Sequence, residues 1–287
     1  MPLTEDIAKA YLSYYTHDGS DPAEGPTPSR THNWTAAGYL AHRYGYPAGI
    51  RSRLFGPLAW LRPDLKANLD FATLYLDHHP GGRLLEVGCG SGAALKEMEA
   101  RGWSVEGVDF DPQAVKAARA RNLSVRLGTL EQQAYPDDSF DAIAMVHVIE
   151  HVPDPRGLLR ECRRILRPGG DLVAITPNAG SLGHRLFGPD WRGLEPPRHL
   201  HIFTRRSLEH IAKDAGFIDA RAATTVRDAD NLLVACRALR RARQTGGEYK
   251  RRESDRKWAE TLQFVEAMLM VIGFGFGEEL LLRVGKN

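Results

Sequence analysis

At 287 residues the chain is long enough for one α/β domain with appended pieces, and 43% hydrophobic and 26% charged residues predict a soluble protein with a substantial core. A formal charge of +2 argues for neither a nucleic-acid nor a membrane partner. The three cysteines, Cys89, Cys162 and Cys236, form neither a disulfide framework nor a zinc pattern; with an acidic pair and no apolar run in MPLTEDIAKAYLSYY, they predict reduced thiols and a cytoplasmic setting.

Residues 3–15 read as a short helix, and 16–30, THDGSDPAEGPTPSR, as a loop rich in Pro, Gly and Ser. Residues 34–76 read as two or three helices, interrupted near 45–49 and at Pro57 and Pro63. A different rhythm starts at Arg83. LLEVG is a short apolar run ending in glycine, as a buried parallel strand does. A helix follows over 93–101, then a strand at SVEGVD (104–109). Asp111-Pro112 caps a helix to Arg121. LSVRLG is a third strand and FDAIAMVHV (140–148) a fourth. Asp154-Pro155 opens a helix to about residue 166, Arg167-Pro168-Gly169-Gly170 predicts a turn, and DLVAIT is a fifth strand. A loop-rich stretch runs to Phe203, Thr204 caps a helix that Gly216 stops, and RAATTVR (221–227) is a sixth strand. Residues 229–272 read as helical, with the strongly basic run between Arg237 and Lys257 a solvated helical face. The most apolar segment, 264–277, is too short to cross a bilayer and reads as a buried helix. GEELLLRVGK (277–286) is the last strand.

This alternation predicts a doubly wound, mostly parallel, seven-stranded α/β sheet with helices on both faces. The expected divisions are an N-terminal helical lid and substrate region over 1–80, and a cofactor-binding core over 81–228 with a lid insertion at 178–203. A basic helical insertion follows over 229–272, with the final strand within 273–287.

Glu86-Val87-Gly88-Cys89-Gly90-Ser91-Gly92 joins the first strand to its helix. Glycines there let backbone N–H groups approach a ligand at a helix N-terminus. Asp109, about twenty residues on, ends the second strand, where a carboxylate accepts both hydroxyls of a ribose. These residues alone also fit the dinucleotide fingerprint G-x-G-x-x-A, so an NAD(P)-dependent oxidoreductase is an alternative at this point.

A longer ordered string separates the two. LLEVGCGSG, GVDFDP, DDSFDAIAMVHVIEHVPDP, RRILRPGGDLVAITPN and PPRHLHIFTRRSLEHIAKDAGF together resemble the class I S-adenosylmethionine-dependent methyltransferases over residues 83–218. The likeness is to the small-molecule branch that includes the ubiquinone-biosynthesis O-methyltransferases. The resemblance implies S-adenosyl-L-methionine as cofactor, with S-adenosyl-L-homocysteine as product. It implies that Gly88 and Gly90 face the methionine part, with Cys89 between them as a small space-filler, and that Glu86 orients the amino group. Asp109 would bind the ribose and Phe110 would lie along the adenine. Thr129 and Leu130 would contact the adenine, and His147 would present its backbone to the methionine part. Relatives often carry an acid where this chain has Thr129.

Methyl transfer needs alignment above all, and an oxygen acceptor gains further from a positioned base. His151 and His199 are the candidate bases, because both fall in loops expected at the carboxyl ends of the strands. His147-Val-Ile-Glu150-His151 also spells H-x-x-E-H, whose three polar side chains share one helical face and could hold a metal. Some ubiquinone relatives carry an acidic E-x-x-E-H version with magnesium. For the acceptor pocket, Tyr14, Tyr15, His17, Trp34 and Trp191 supply aromatic area. Arg185, Arg192 and Arg198 suit an anionic group on a small-molecule acceptor. No nucleic-acid module is visible, and the basic 237–257 run offers at most a weak membrane-surface contact. A methyltransferase of glycans, lipids or macromolecules and a non-catalytic cofactor-binding protein are the remaining alternatives.

Overall fold

Short apolar runs become strands where both faces can be covered, and seven among the described residues do so in one sheet. The computed structural model describes residues 30–287. Three helices, α1 (Arg30–Tyr44), α2 (Ile50–Phe55) and α3 (Pro63–Phe71), precede the sheet, with a 3-10 turn at Gly56–Leu61 between the last two. The strands are β1 (Arg83–Val87), β2 (Ser104–Asp109), β3 (Val125–Leu127), β4 (Phe140–Val146), β5 (Leu166–Pro177), β6 (Ala222–Thr225) and β7 (Glu279–Gly285). Their order is β3-β2-β1-β4-β5-β7-β6. Only β7 runs antiparallel to its neighbours.

Successive residues of β1 serve opposite layers, as a two-residue period requires. Leu84 packs with Leu74, Leu76 and Trp103 on one face. Leu85 packs with Ile143, Leu159 and Leu208 on the other. The crossovers are α4 (Ala93–Ala100), α5 (Pro112–Ala120) and α6 (Pro155–Ile165), followed by α7 (Leu182–Phe187) and α8 (Arg205–Asp214). The Asp111 and Asp154 side chains accept from Gln113 N–H and Gly157 N–H, and Thr204 forms a capping box with Ser207. Each such cap contributes about 1 kcal/mol. Strand order reverses between β1 and β4, which opens a crevice at their carboxyl ends.

Four expectations are corrected. The Arg167–Gly170 segment is a bulge within β5, because Gly169 N–H donates to Lys286 C=O and Gly170 C=O accepts from Lys286 N–H. The pairing jumps from Phe140–Leu166 to Ala142–Asp171 across it. The helical stretch after residue 229 is broken at Gly246, dividing it into α9 (Ala229–Thr245) and α10 (Arg256–Val271). The basic run is not a uniformly solvated face: Arg240 and Arg243 grip buried Asp190, and Arg237 and Arg241 grip buried Asp255. Finally, α10 buries Glu266 and Ala267 but exposes Phe264, Val265 and Met268. Among the described residues no helix is long and apolar enough to cross a membrane.

Candidate active site

The glycine loop after β1 needs glycine for two separate reasons. Gly88, Gly90 and Gly92 all have positive φ. At Gly88 a Cβ would also lie 2.4 Å from Val148 Cγ2, so the loop sits directly against the turn that follows β4. Asp109 ties this loop to the end of β2: its two carboxylate oxygens accept from Gly90 N–H at 2.8 Å and Asp111 N–H at 2.9 Å. Burial nevertheless raises the Asp109 carboxyl above the usual carboxylate range. Glu86, 4% exposed, is pushed up to about 8 by burial and by the Asp109 charge, and its Oε2 has no hydrogen-bond partner. A crevice with one orphaned acid and one acid whose oxygens keep spare lone pairs fits a ligand bearing an ammonium and a diol. S-adenosylmethionine carries both. Phe110 stands about half exposed beside Asp109, as a face for a flat ring requires.

The turn 147–151 leads from β4 into the second half of the site. His147 takes φ +53° and donates from both ring nitrogens, to Glu150 at 3.1 Å and to Glu279 at 2.8 Å. Burial opposes a charge there, but two carboxylates win and lift the imidazole to about 10. Burial likewise opposes ionisation of Glu150, yet the His147 hydrogen bond and charge hold its carboxyl below the usual range. Thr176 Oγ1, at the end of β5, donates to the other Glu150 oxygen at 2.9 Å. The Glu150 backbone carbonyl accepts from Leu200 and His201 N–H, which fastens the PRHLH loop over the turn.

That loop brings His199 to His151, ring centroids 4.7 Å apart and edge to face. His151 Nδ1 donates to Arg198 C=O at 3.1 Å, and His199 Nδ1 donates to Gly193 C=O at 2.6 Å. A carbonyl only accepts, so each neutral ring carries its proton on Nδ1, and Nε2 is the nitrogen that can take a proton or a metal. Burial lowers the basicity of His199. Glu150, His151 and His199 offer ligand atoms within 4.8 Å of one another. A set of two nitrogens and one oxygen suits a borderline ion such as zinc better than magnesium. The triad therefore differs from H-x-x-E-H: His199 takes the place of His147, whose nitrogens are both engaged.

Other expected site residues fall elsewhere. Cys89 packs its side chain with Leu95, Val115 and Leu123 beneath the loop, and burial raises its thiol well above the usual value, so only its backbone borders the crevice. Leu130 is a core side chain, 2% exposed, whereas Thr129 is exposed and its N–H donates to Gln132. Trp191 is 1% exposed: it stacks on His184 and donates to Glu278 at 2.8 Å, so it supports the 178–203 segment from within instead of facing an acceptor. Arg198 and Arg192 both donate to Glu195, and Arg185 lies over Phe276. Trp34 stacks on Phe55. Tyr14, Tyr15 and His17 lie outside the described residues. Nothing in the string marks Thr176, Glu195 or Glu279, which join the candidate site only through the sheet and the 178–203 segment.

A methyltransferase domain family matches residues 58–220, more than half the chain. The chain is 38% identical over 156 residues to a ubiquinone biosynthesis O-methyltransferase of Xanthomonas oryzae pv. oryzae, covering 51% of this chain and 64% of that protein. It thus spans less than two thirds of such curated relatives. A SAM-dependent methyltransferase from Archaeoglobus fulgidus superposes with a TM-score of 0.53 at 18% identity, covering 81% of this chain and 98% of that one. A possible histamine N-methyltransferase from Thermotoga maritima gives 0.52 at 22%, covering 88% and 99%. At these identities the likeness is one of fold. With the match covering β1 to β5, the glycine loop and the histidine turn together, the chain belongs to the methyltransferase domain family and has the fold of the class I S-adenosylmethionine-dependent methyltransferases.

Proposed function

We propose that the protein transfers a methyl group from S-adenosylmethionine to an oxygen of a small-molecule acceptor, in the cytoplasm. The cofactor, when bound, supplies a methyl group on a positively charged sulfur. The observation that carries the oxygen assignment is the His151–His199 pair, in which a backbone carbonyl at each Nδ1 makes Nε2 the basic nitrogen of both rings. An amine acceptor needs no such base, whereas a phenol or enol does. The O-methyltransferase names of the curated relatives support the same reading.

The chain's own groups then divide the work. Glu86 and Asp109 anchor the amino group and the ribose of the cofactor, and the glycine loop keeps the β1 end close to the 147–151 turn. His151, on that turn, takes the acceptor hydroxyl proton at Nε2; the bound cofactor would give up its methyl group with cleavage of the carbon–sulfur bond and leave as the neutral thioether. The Glu150 carboxylate, held by His147 and Thr176, stabilises the imidazolium that results. His199 packs the second side of His151 and keeps water from it. Arg198 is a positioning residue and not an acceptor contact, through its bond to Glu195 and its carbonyl bond to His151.

The test is a turnover assay at saturating cofactor. His151→Gln should cut kcat by about 10² or more, with cofactor affinity little changed. Full activity in this variant removes the base. A second reading follows from the donor triad, a divalent ion that orients the acceptor oxygen. It requires chelation to abolish activity and Glu150→Gln to be as damaging as His151→Gln. Activity that survives chelation excludes it.

A further inference from the structure

The arginines expected to meet an anionic group on the acceptor are engaged elsewhere, Arg192 and Arg198 with Glu195 and Arg185 with Phe276. Arg227 is placed differently. It follows the carboxyl end of β6, beside Glu279 at the start of β7, at the end of the sheet where the crevice opens. One Glu279 oxygen accepts from His147 Nε2 at 2.8 Å and the other from Arg227 Nε at 3.4 Å, so a single carboxylate ties the guanidinium to the 147–151 turn. Glu279 itself is 4% exposed, whereas the His147 and Arg227 side chains are 36% and 15% exposed. Both cations therefore come to the surface above the sealed acid that joins them.

The Phe71 ring covers one face of the guanidinium, with Arg227 Cζ 3.8 Å from the ring centre. Stacking and the Nε contact leave the edge that carries the two terminal nitrogens. Among the described residues no hydrogen bond is made to those nitrogens, and both reach solvent. The backbone beneath is pinned. Arg227 N–H donates to Thr225 Oγ1 at 3.2 Å, and Gln263 Nε2 donates to Val226 C=O at 2.8 Å. A guanidinium fixed on its face and at Nε presents its remaining edge as a planar two-donor fork, which matches the two oxygens of a carboxylate.

Charge decides between the anions such a fork accepts. Glu279 and the next residue, Asp228, both lie within reach of the Arg227 charge. Asp228 is also bonded to Asn231, and Glu279 is shared with His147, so neither acid is matched to Arg227 alone. A doubly charged phosphate would meet twice the repulsion that a carboxylate meets from these acids. We propose that Arg227 anchors a carboxylate of the acceptor, so that the substrate of this site is a hydroxylated carboxylic acid. The assignment rests on the methyl-transfer reading, because it places the acceptor in this crevice. Its readout is binding, so a failure here shows in affinity, whereas a failure of oxygen transfer shows in the turnover of His151→Gln.

Calorimetry on the full chain in complex with S-adenosylhomocysteine tests it, with two probes that differ by one carboxylate, 3,4-dihydroxyphenylacetate and 4-methylcatechol. The acid should bind at least about tenfold more tightly than the catechol. In Arg227→Gln the two affinities should become equal, while affinity for S-adenosylhomocysteine stays unchanged. Arg227→Lys keeps a cation opposite Glu279 but not the fork, and should lose most of the preference; it decides the matter if the Gln variant melts early. Equal affinities in the unaltered protein, no saturable binding of the acid, or a preference that survives in both variants overturns the proposal. So does an Arg227→Gln variant that loses S-adenosylhomocysteine by the same factor, for the fork would then hold the cofactor's own carboxylate.

Discussion

Glu86 is the last residue but one of β1, in the floor of the crevice, and burial with the Asp109 charge pushes its carboxyl up to about 8, against about 4.3 when solvated. A folded-state value raised in this way stabilises the protein fully below about pH 4 and loses that contribution as pH rises through 8. A ligand ammonium beside it favours the ionised form, so the sign reverses for the complex. Cofactor affinity should rise with pH, approaching about tenfold per unit below 8, and then level off. In Glu86→Gln affinity should be weaker and flat with pH. Calorimetry with S-adenosylhomocysteine from pH 5 to 9 checks this, and an unchanged slope in the variant would remove Glu86 from the site. On the proposed reading Asp109 has two duties, because the oxygens that would take a ribose already hold Gly90 and Asp111. Asp109→Ala should therefore weaken the cofactor by about 1–3 kcal/mol and also lower the stability of the ligand-free protein. A loss confined to binding, with identical urea midpoints, would show that the loop stands without it.

At the scale of elements, the segment between β5 and α8 decides where the histidines stand. Trp191 is its pillar, and the Gly193 carbonyl fixes the His199 ring. A Cβ on Gly193 would lie 2.3 Å from the Trp191 ring, so glycine there is required by space and not by backbone freedom. Gly193→Ala should displace that carbonyl and reduce kcat while leaving cofactor affinity intact. Steady-state kinetics beside a cofactor titration separate the two effects. Trp191→Phe should cost about 1–3 kcal/mol of stability, because the Glu278 oxygen loses a buried donor. Glu278 already faces Glu266, whose carboxyl burial and the Glu278 charge push up to about 10. Urea unfolding with an unchanged slope and a lower midpoint is the expected result.

Over the whole molecule, the sheet reverses its order between β1 and β4 and places both halves of the site at that one seam. Ligand binding there should stabilise the entire fold. S-adenosylhomocysteine at a hundred times its Kd should add about 2.7 kcal/mol, seen as a rise in Tm, and NAD at equal concentration should add nothing. A shift with NAD alone would revive the nicotinamide alternative that G-x-G-x-x-A left open. Residues 178–203 and 229–272 are held to each other by a shared apolar cluster that includes Phe187, Trp191, Leu233 and Cys236, and by Asp190 between Arg240 and Arg243.

What the sequence determined by itself was local. Apolar runs ending in glycine, the Asp-Pro caps and the acid at Asp109 each act within a few residues, so the strands, the capped helix starts and the glycine loop tied to Asp109 were legible. The bulge at Gly169 was not, because its backbone partners belong to Lys286, more than a hundred residues away. The direction of side chains was not either. Leu130 and Trp191 read as contacts but turn into cores formed by distant elements, and His147 turns to Glu279 at the start of the last strand. The meeting of His151 with His199 and the anchoring of Glu150 by Thr176 exist only once β4, β5 and the PRHLH loop are packed together. Spacing along the chain fixes what one turn of helix or strand can reach. Burial, tautomer and charge depend on neighbours that only the tertiary structure supplies.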